Sequence, residues 1–132
     1  MDDAHFKIST STKLVCIPVD YIVLVEACGN YCDIYLPGNV KITVTFQLGQ
    51  IINMIKEQLP NFKHLFARVG KSMVVNSNYV VDIDLTSKTI MLVDPKFHKY
   101  DRKASRDALK DIKEQIEQRE KLFEQRKQQK SL

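Results

Sequence analysis

The sequence predicts a mainly β domain: short antiparallel strands, one small internal helix and a C-terminal helix. Two observations carry this expectation. Short apolar runs rich in Val, Ile and Tyr are separated by Gly, Pro and Asn turns. The apolar period lengthens to that of a helix in two places, over residues 48–59 and after Pro95.

Taken in order, the first dozen residues are rich in Ser and Thr, show no period, and read as a lead-in or linker remnant over 1–12. Leu14 to Ile17 is a short apolar strand closed by Pro18. Tyr21 to Ala27 is β-branched and nearly continuous, which predicts burial on both faces. Gly29-Asn30 marks a turn, and Cys32 to Leu36 alternates up to a second turn at Pro37-Gly38-Asn39. Val40 to Phe46 alternates again and completes a hairpin. Leu48, Ile51, Ile52, Ile55 and Leu59 then fall at helical spacing, with Gln50, Asn53, Lys56 and Glu57 opposite. This is an amphipathic helix stopped by Pro60. Strand signals return at Leu65 to Val69, Met73 to Val75, Tyr79 to Ile83 and Thr89 to Val93, the last two joined across Thr86-Ser87-Lys88.

Ala104, Ala108, Leu109, Ile112 and Ile116 trace one face of the closing helix. Positions 109, 112, 116, 119 and 123 follow the 3-4 spacing of a heptad seam, broken by Arg119. The first turns should dock on the domain, leaving the end for a partner. The domain proper is read over 13–110, with a charged helical extension over 111–132.

At 132 residues and 44% hydrophobic, the chain is one globular domain with a real core. Its net charge of +4 is uneven. Residues 1–95 hold eight Lys/Arg against nine Asp/Glu, a balance of −1, and residues 96–132 hold twelve against seven, a balance of +5. Any polyanion binding is therefore expected toward the C-terminal end, although composition alone favours a solvated helix with alternating charges there. Three cysteines, Cys16, Cys28 and Cys32, cannot make a complete disulfide set. Cys28 and Cys32, four apart, would share one face of a strand as reduced thiols. His5, His64 and His98 sit at no metal-ligand spacing. The apolar runs are too short for a bilayer and Met1-Asp2-Asp3-Ala4-His5 has no signal-peptide core, so the expected location is cytoplasmic, with no membrane partner indicated. No phosphate loop or nucleophile elbow is present, and the chain is read as neither an enzyme nor a binder of a cofactor or small-molecule substrate.

One stretch carries the functional signal. Phe66-Ala67-Arg68-Val69-Gly70-Lys71-Ser72-Met73-Val74-Val75-Asn76 joins two strand-forming runs through a basic corner, with Ser72 as a small hydrogen-bonding group. Such a corner suits an anion, a phosphate backbone above all. The stretch is similar to the pattern "F-x-R-V-H-R-S-x-L-V-N". Val19-Asp20-Tyr21-Ile22-Val23-Leu24-Val25-Glu26-Ala27-Cys28-Gly29-Asn30-Tyr31 is similar to "I-x-x-I-x-Y-I-E-A-x-G-N-Y". With the helix between them and a basic segment before the terminal helix, the chain from about Leu14 to about Leu109 resembles a LytTR domain. This is a DNA-binding module of bacterial response regulators.

The resemblance implies an elongated arrangement of short strands whose loops, rather than a recognition helix, enter successive major grooves of double-stranded DNA. It assigns Asn30, Tyr31 and Cys32, with Asp33 beside them, to a first loop. Lys71 and Ser72 belong to a second, and Arg102 and Lys103 to the segment before the last helix. Lys71, Arg102, Lys103 and Arg106 would anchor phosphates, and Arg102 would also read guanine. It further implies repeated half-sites, a possible homodimer through the C-terminal helix, and a place as stand-alone regulator or output domain. The chain departs from the pattern at Gly70 (usually histidine), Lys71 (usually arginine) and Asp101 (usually serine). These departures, with Asp33, motivate the alternative of a protein-interaction domain that has lost DNA binding. Plain structural roles are expected for Arg68, as an ion-pair partner of Glu26, and for Asn76, as a backbone cap.

Overall fold

A computed structural model describes residues 4–60 and 63–130, with side chains described for 4–60 and 64–119. Ten strands and two helices follow in the order β1 (His5–Ser9), β2 (Leu14–Pro18), β3 (Leu24–Cys28), β4 (Tyr31–Leu36), β5 (Val40–Val44), α1 (Leu48–Gln58), β6 (Phe66–Val69), β7 (Met73–Asn76), β8 (Val80–Asp84), β9 (Thr89–Val93), β10 (Lys99–Lys103) and α2 (Arg106–Lys130). The strands form three antiparallel sheets, β1-β2, β5-β4-β3-β7-β6 and β10-β9-β8.

The five-stranded sheet is the middle layer, and the two-residue period of its strands sorts its side chains into two cores. Val25, Cys32, Ile34, Val44 and Val74 face the first core, with Phe6, Ile8, Val15 and Ile17 of the β1-β2 hairpin and Leu48, Ile51 and Ile55 of α1. Leu24, Ala67, Val69, Met73 and Val75 face the second, with Ile90, Leu92, Tyr100, Leu109 and Ile112. Residues 22–25 are buried as their unbroken apolar run predicts, whereas Tyr21 is exposed and Glu26 and Ala27 are half-buried. α1 buries the predicted stripe and begins with a capping box in which Gln47 and Gln50 exchange backbone bonds.

The first dozen residues differ from the expected loose lead-in, for His5–Ser9 is a strand paired along its whole length with β2. Phe6 and Ile8 enter the core while Lys7 and Ser9 point out, a two-residue alternation too short to register beside the Ser/Thr-rich turn that follows. The cysteine expectation is also corrected. Gly29-Asn30 is the turn between β3 and β4, so Cys28 and Cys32 stand on different strands, with Ala27 opposite Cys32 and Cys28 opposite Tyr31.

Asn76 behaves as the expected cap. Its side-chain amide donates to the Ile22 carbonyl at 3.0 Å and its side-chain oxygen accepts from the Asn78 N–H at 3.0 Å, with the residue 2% exposed. Replacing it with alanine strands both backbone groups, and a loss of about 1–3 kcal/mol is expected in a urea titration. An unchanged midpoint would show that water replaces both bonds.

α2 docks through Leu109 and Ile112, both buried, and the half-buried Ile116. Arg119 continues the contact by donating to the His64 carbonyl. The packed body therefore extends beyond residue 110, and most of the heptad-like seam is used within the chain itself. Position 123 lies outside the described side chains.

Candidate nucleic-acid interface

Strand register collects four connections at one end of the molecule. Cys28 faces Tyr31, so Gly29-Asn30 closes one end of the middle sheet, with Gly29 in the left-handed region (φ 62). Glu26 faces Met73, and the Ala27 N–H donates to the Ser72 carbonyl at 2.8 Å, which brings the β6–β7 turn to that same end. β10 runs toward it from the far end. There the Tyr100 hydroxyl oxygen accepts from the Asn39 N–H (3.2 Å) and lies 3.1 Å from the Leu36 carbonyl oxygen. Further along, Arg102 Nε meets Glu26 Oε2 at 2.8 Å.

Past Arg102, Lys103 lies opposite Thr89, and the Ala104 N–H donates to the Lys88 carbonyl at 3.2 Å, fixing the β8–β9 turn beside it. The Ser105 hydroxyl accepts from the Ala108 N–H at 3.2 Å and caps α2, placing Arg106 at its first turn. Gly70, at φ 64, rests on that turn; a Cβ built there would lie 3.9 Å from the Cβ of Ala108. A histidine at this position would meet Ala108 at ordinary contact distance but would strain the left-handed backbone.

Six of the eight sequence-predicted site residues sit exposed at this end: Asn30, Tyr31, Lys71, Ser72, Lys103 and Arg106. Two do not fit as expected. Cys32 is 0% exposed and belongs to the first core, because the second residue of β4 already points inward. It offers no surface to a duplex. Burial pushes its thiol upward, with Cys28 and Asp33 adding to the effect.

Arg102, expected to face phosphates and guanine, is tied to Glu26, donates through Nη1 to the Asp101 carbonyl at 2.9 Å, and lies 5.4 Å over the Tyr35 ring. This pairing also corrects the expectation for Arg68. Arg68 stands opposite Val74, which stands opposite Val25, so its side chain emerges on the first-core face while Glu26 points to the second. It donates instead from Nε to the Gly70 carbonyl at 3.0 Å and braces the β6–β7 turn.

The two aspartates differ in what they present. Asp33 is buried rather than in a loop, and its carboxylate accepts from Thr43 Oγ1 at 2.6 Å and Cys28 Sγ at 3.3 Å, with Lys41 Nζ at 4.0 Å. The Thr43 bond chiefly holds its carboxyl below the ordinary range, helped by Cys28 and Lys41 and opposed by burial. Burial, then this carboxylate, pushes the Cys28 thiol up, so it stays a protonated donor. Asp33 thus turns its charge inward. Asp101 remains exposed and pairs with Lys99 at 3.5 Å.

A family model described as the LytTr DNA-binding domain matches residues 12–117. The chain belongs to the LytTR family. Among solved structures it is similar to the LytTr DNA-binding domain of a protein described as a methyl-accepting/DNA response regulator from Bacillus cereus. That match has a TM-score of 0.59 and 17% identity and covers 87% of this chain and 98% of the other. None of the curated proteins matches it.

In this LytTR domain one exposed cation at the turn-rich end escaped the sequence reading. Lys88, at φ 59, closes the β8–β9 turn, whose N–H groups at Thr86 and Ser87 donate to Asp84 Oδ1 at 2.9 and 3.1 Å. The turn signal was visible; its position beside Lys103 depends on the pairing of β9 with β10. Among the described residues no helix is long and apolar enough to cross a membrane.

Proposed function

We propose that this LytTR domain is a sequence-specific, cytoplasmic DNA-binding transcription regulator that applies its turn-rich end to a duplex and carries out no catalysis. One observation supports the reading: Asn30 and Tyr31, Lys71 and Ser72, Lys88, and Lys103 with Arg106 come from four separate connections yet share one end. Lys71, Lys103 and Arg106 neutralise phosphates, and the first turn of α2 adds its positive dipole end. Asn30, Tyr31 and Arg102 supply groups for base edges in the groove. Binding to repeated half-sites, with a second copy engaged through the C-terminal helix, raises affinity through effective concentration.

The test is filter binding to duplex DNA across a salt series. Neutralising four to six phosphates gives a slope of log K against log salt of about −4 to −5. Lys71→Ala should weaken binding by about 1 kcal/mol on any sequence and flatten that slope by about 1. A protein that retains no DNA at about 50 mM salt is instead an interaction domain.

A further inference from the structure

We propose that Glu26 is a positioning residue for DNA sequence readout: it holds the Arg102 guanidinium as a fixed fork at the interface and withholds it from the phosphates. The inference rests on the DNA-binding reading and adds to it a specificity-determining carboxylate in the middle sheet.

The geometry restrains the guanidinium from three directions. Glu26 Oε2 takes the Nε hydrogen at 2.8 Å, the Asp101 carbonyl takes an Nη1 hydrogen at 2.9 Å, and the Tyr35 ring lies 5.4 Å beneath Cζ. Among the described residues, Nη2 makes no hydrogen bond. The side chains of Arg102 and Glu26 are only 24% and 26% exposed, which strengthens the pairing over that of a surface ion pair.

Glu26 lies on β3 just before the Gly29-Asn30 turn, and Arg102 lies on β10 just before Lys103, so the pair sits directly behind the exposed cations. A free arginine there would behave like Lys71 or Lys103, a mobile charge that meets any phosphate. A clamped one has lost its rotamer freedom before binding, so a base edge that matches the fork gains and a mismatched one loses. An open cleft of about 360 Å³ lined by Tyr35, Asn39, Lys41, Lys99, Tyr100 and Arg102 runs from the guanidinium toward the far end, so one side of the guanidinium meets solvent.

The test uses the 132-residue chain, a duplex selected by the wild type from a random pool, and a scrambled duplex of the same composition. Glu26→Gln keeps the shape but removes the charge. It should lower the ratio of specific to scrambled affinity about tenfold. Binding to the scrambled duplex should tighten and its salt slope should steepen by about 1, as the released arginine turns to phosphate. Arg102→Lys keeps the charge without the fork and should lower the ratio as far, and the double variant no further than either single one. Because Glu26→Gln also loosens a contact between sheets, thermal melts of every variant set a temperature at which all are folded.

An unchanged ratio in Glu26→Gln, or additive losses in the double variant, overturns the proposal and leaves the pair as a strut. A wild type that binds neither duplex fails differently, since it removes the DNA-binding reading itself.

Discussion

Ending the chain after Lys110 is expected to open the second core rather than trim an appendage. The cut removes Ile112, 1% exposed, and Ile116, which packs on the same cluster. It leaves Leu109 on a single short helical turn, without the turns that follow it. Losing one buried isoleucine side chain costs about 2–5 kcal/mol, and the truncation also exposes the groups it covered. Against a typical total of about 5–15 kcal/mol, the shortened chain should populate unfolded forms at room temperature. Urea titration and near-ultraviolet circular dichroism check this, with Ile112→Ala as the milder companion. If both retain the wild-type midpoint, α2 rests on the body without stabilising it.

The second large effect is expected at Asp94. This residue is 2% exposed, and its carboxylate accepts from the Gly38 N–H (2.9 Å), the Lys96 N–H (2.7 Å), the His98 N–H (3.1 Å) and the Tyr100 hydroxyl (2.8 Å). Burial is the largest single influence and raises its pKa, but the hydrogen bonds from Tyr100, His98, Gly38 and Lys96 together outweigh it. The carboxyl is held below its ordinary value. Burial, and after it the pairing with Asp94, pushes the Tyr100 hydroxyl up to about 12. Asp94→Ala removes the shared acceptor of the buried Tyr100 hydroxyl and of three turn N–H groups and should cost about 3–5 kcal/mol.

The sign with pH follows from the lowered value. A carboxylate favoured by the fold contributes its full stability above the unfolded-state pKa near 3.8, and loses it as pH falls through the lower folded value. Acid titration of the wild type should therefore show a drop below about pH 4 that Asp94→Asn lacks. Identical acid limbs would place the responsible carboxylate elsewhere, with Asp33 the next to examine.

How far the fold could be read from the sequence depended on the range of the interaction. The α1 stripe and the Gly29-Asn30 turn are local patterns, and both appear where periodicity and turn chemistry put them. The LytTR family was legible because its blocks stand in order along the chain. What escaped was pairing between distant residues. Arg68 and Glu26 looked like partners because each is the lone charge in an otherwise apolar strand run, Glu26 in the block that resembles the family. Only the register, which places Arg68 in line with Val74 and Val25, shows that they leave opposite faces. Arg102 reaches Glu26 across 76 positions, and no spacing rule encodes that contact. Cys32 was given to the first loop by the family resemblance, although its own run alternates as a strand. A sheet covered on both faces buries Cys32 and Asp33 alike, so alternation could not announce the direction of either.

The Asp94–Tyr100 network ties the β4–β5 turn to the β9–β10 turn, and it does so at the far end of the two facing sheets. At the near end Glu26 and Arg102 join the same two sheets through one ion pair. Opening that pair alone leaves the sheets tied through Asp94 and Tyr100, on the side away from the connections that carry Lys71 and Lys88.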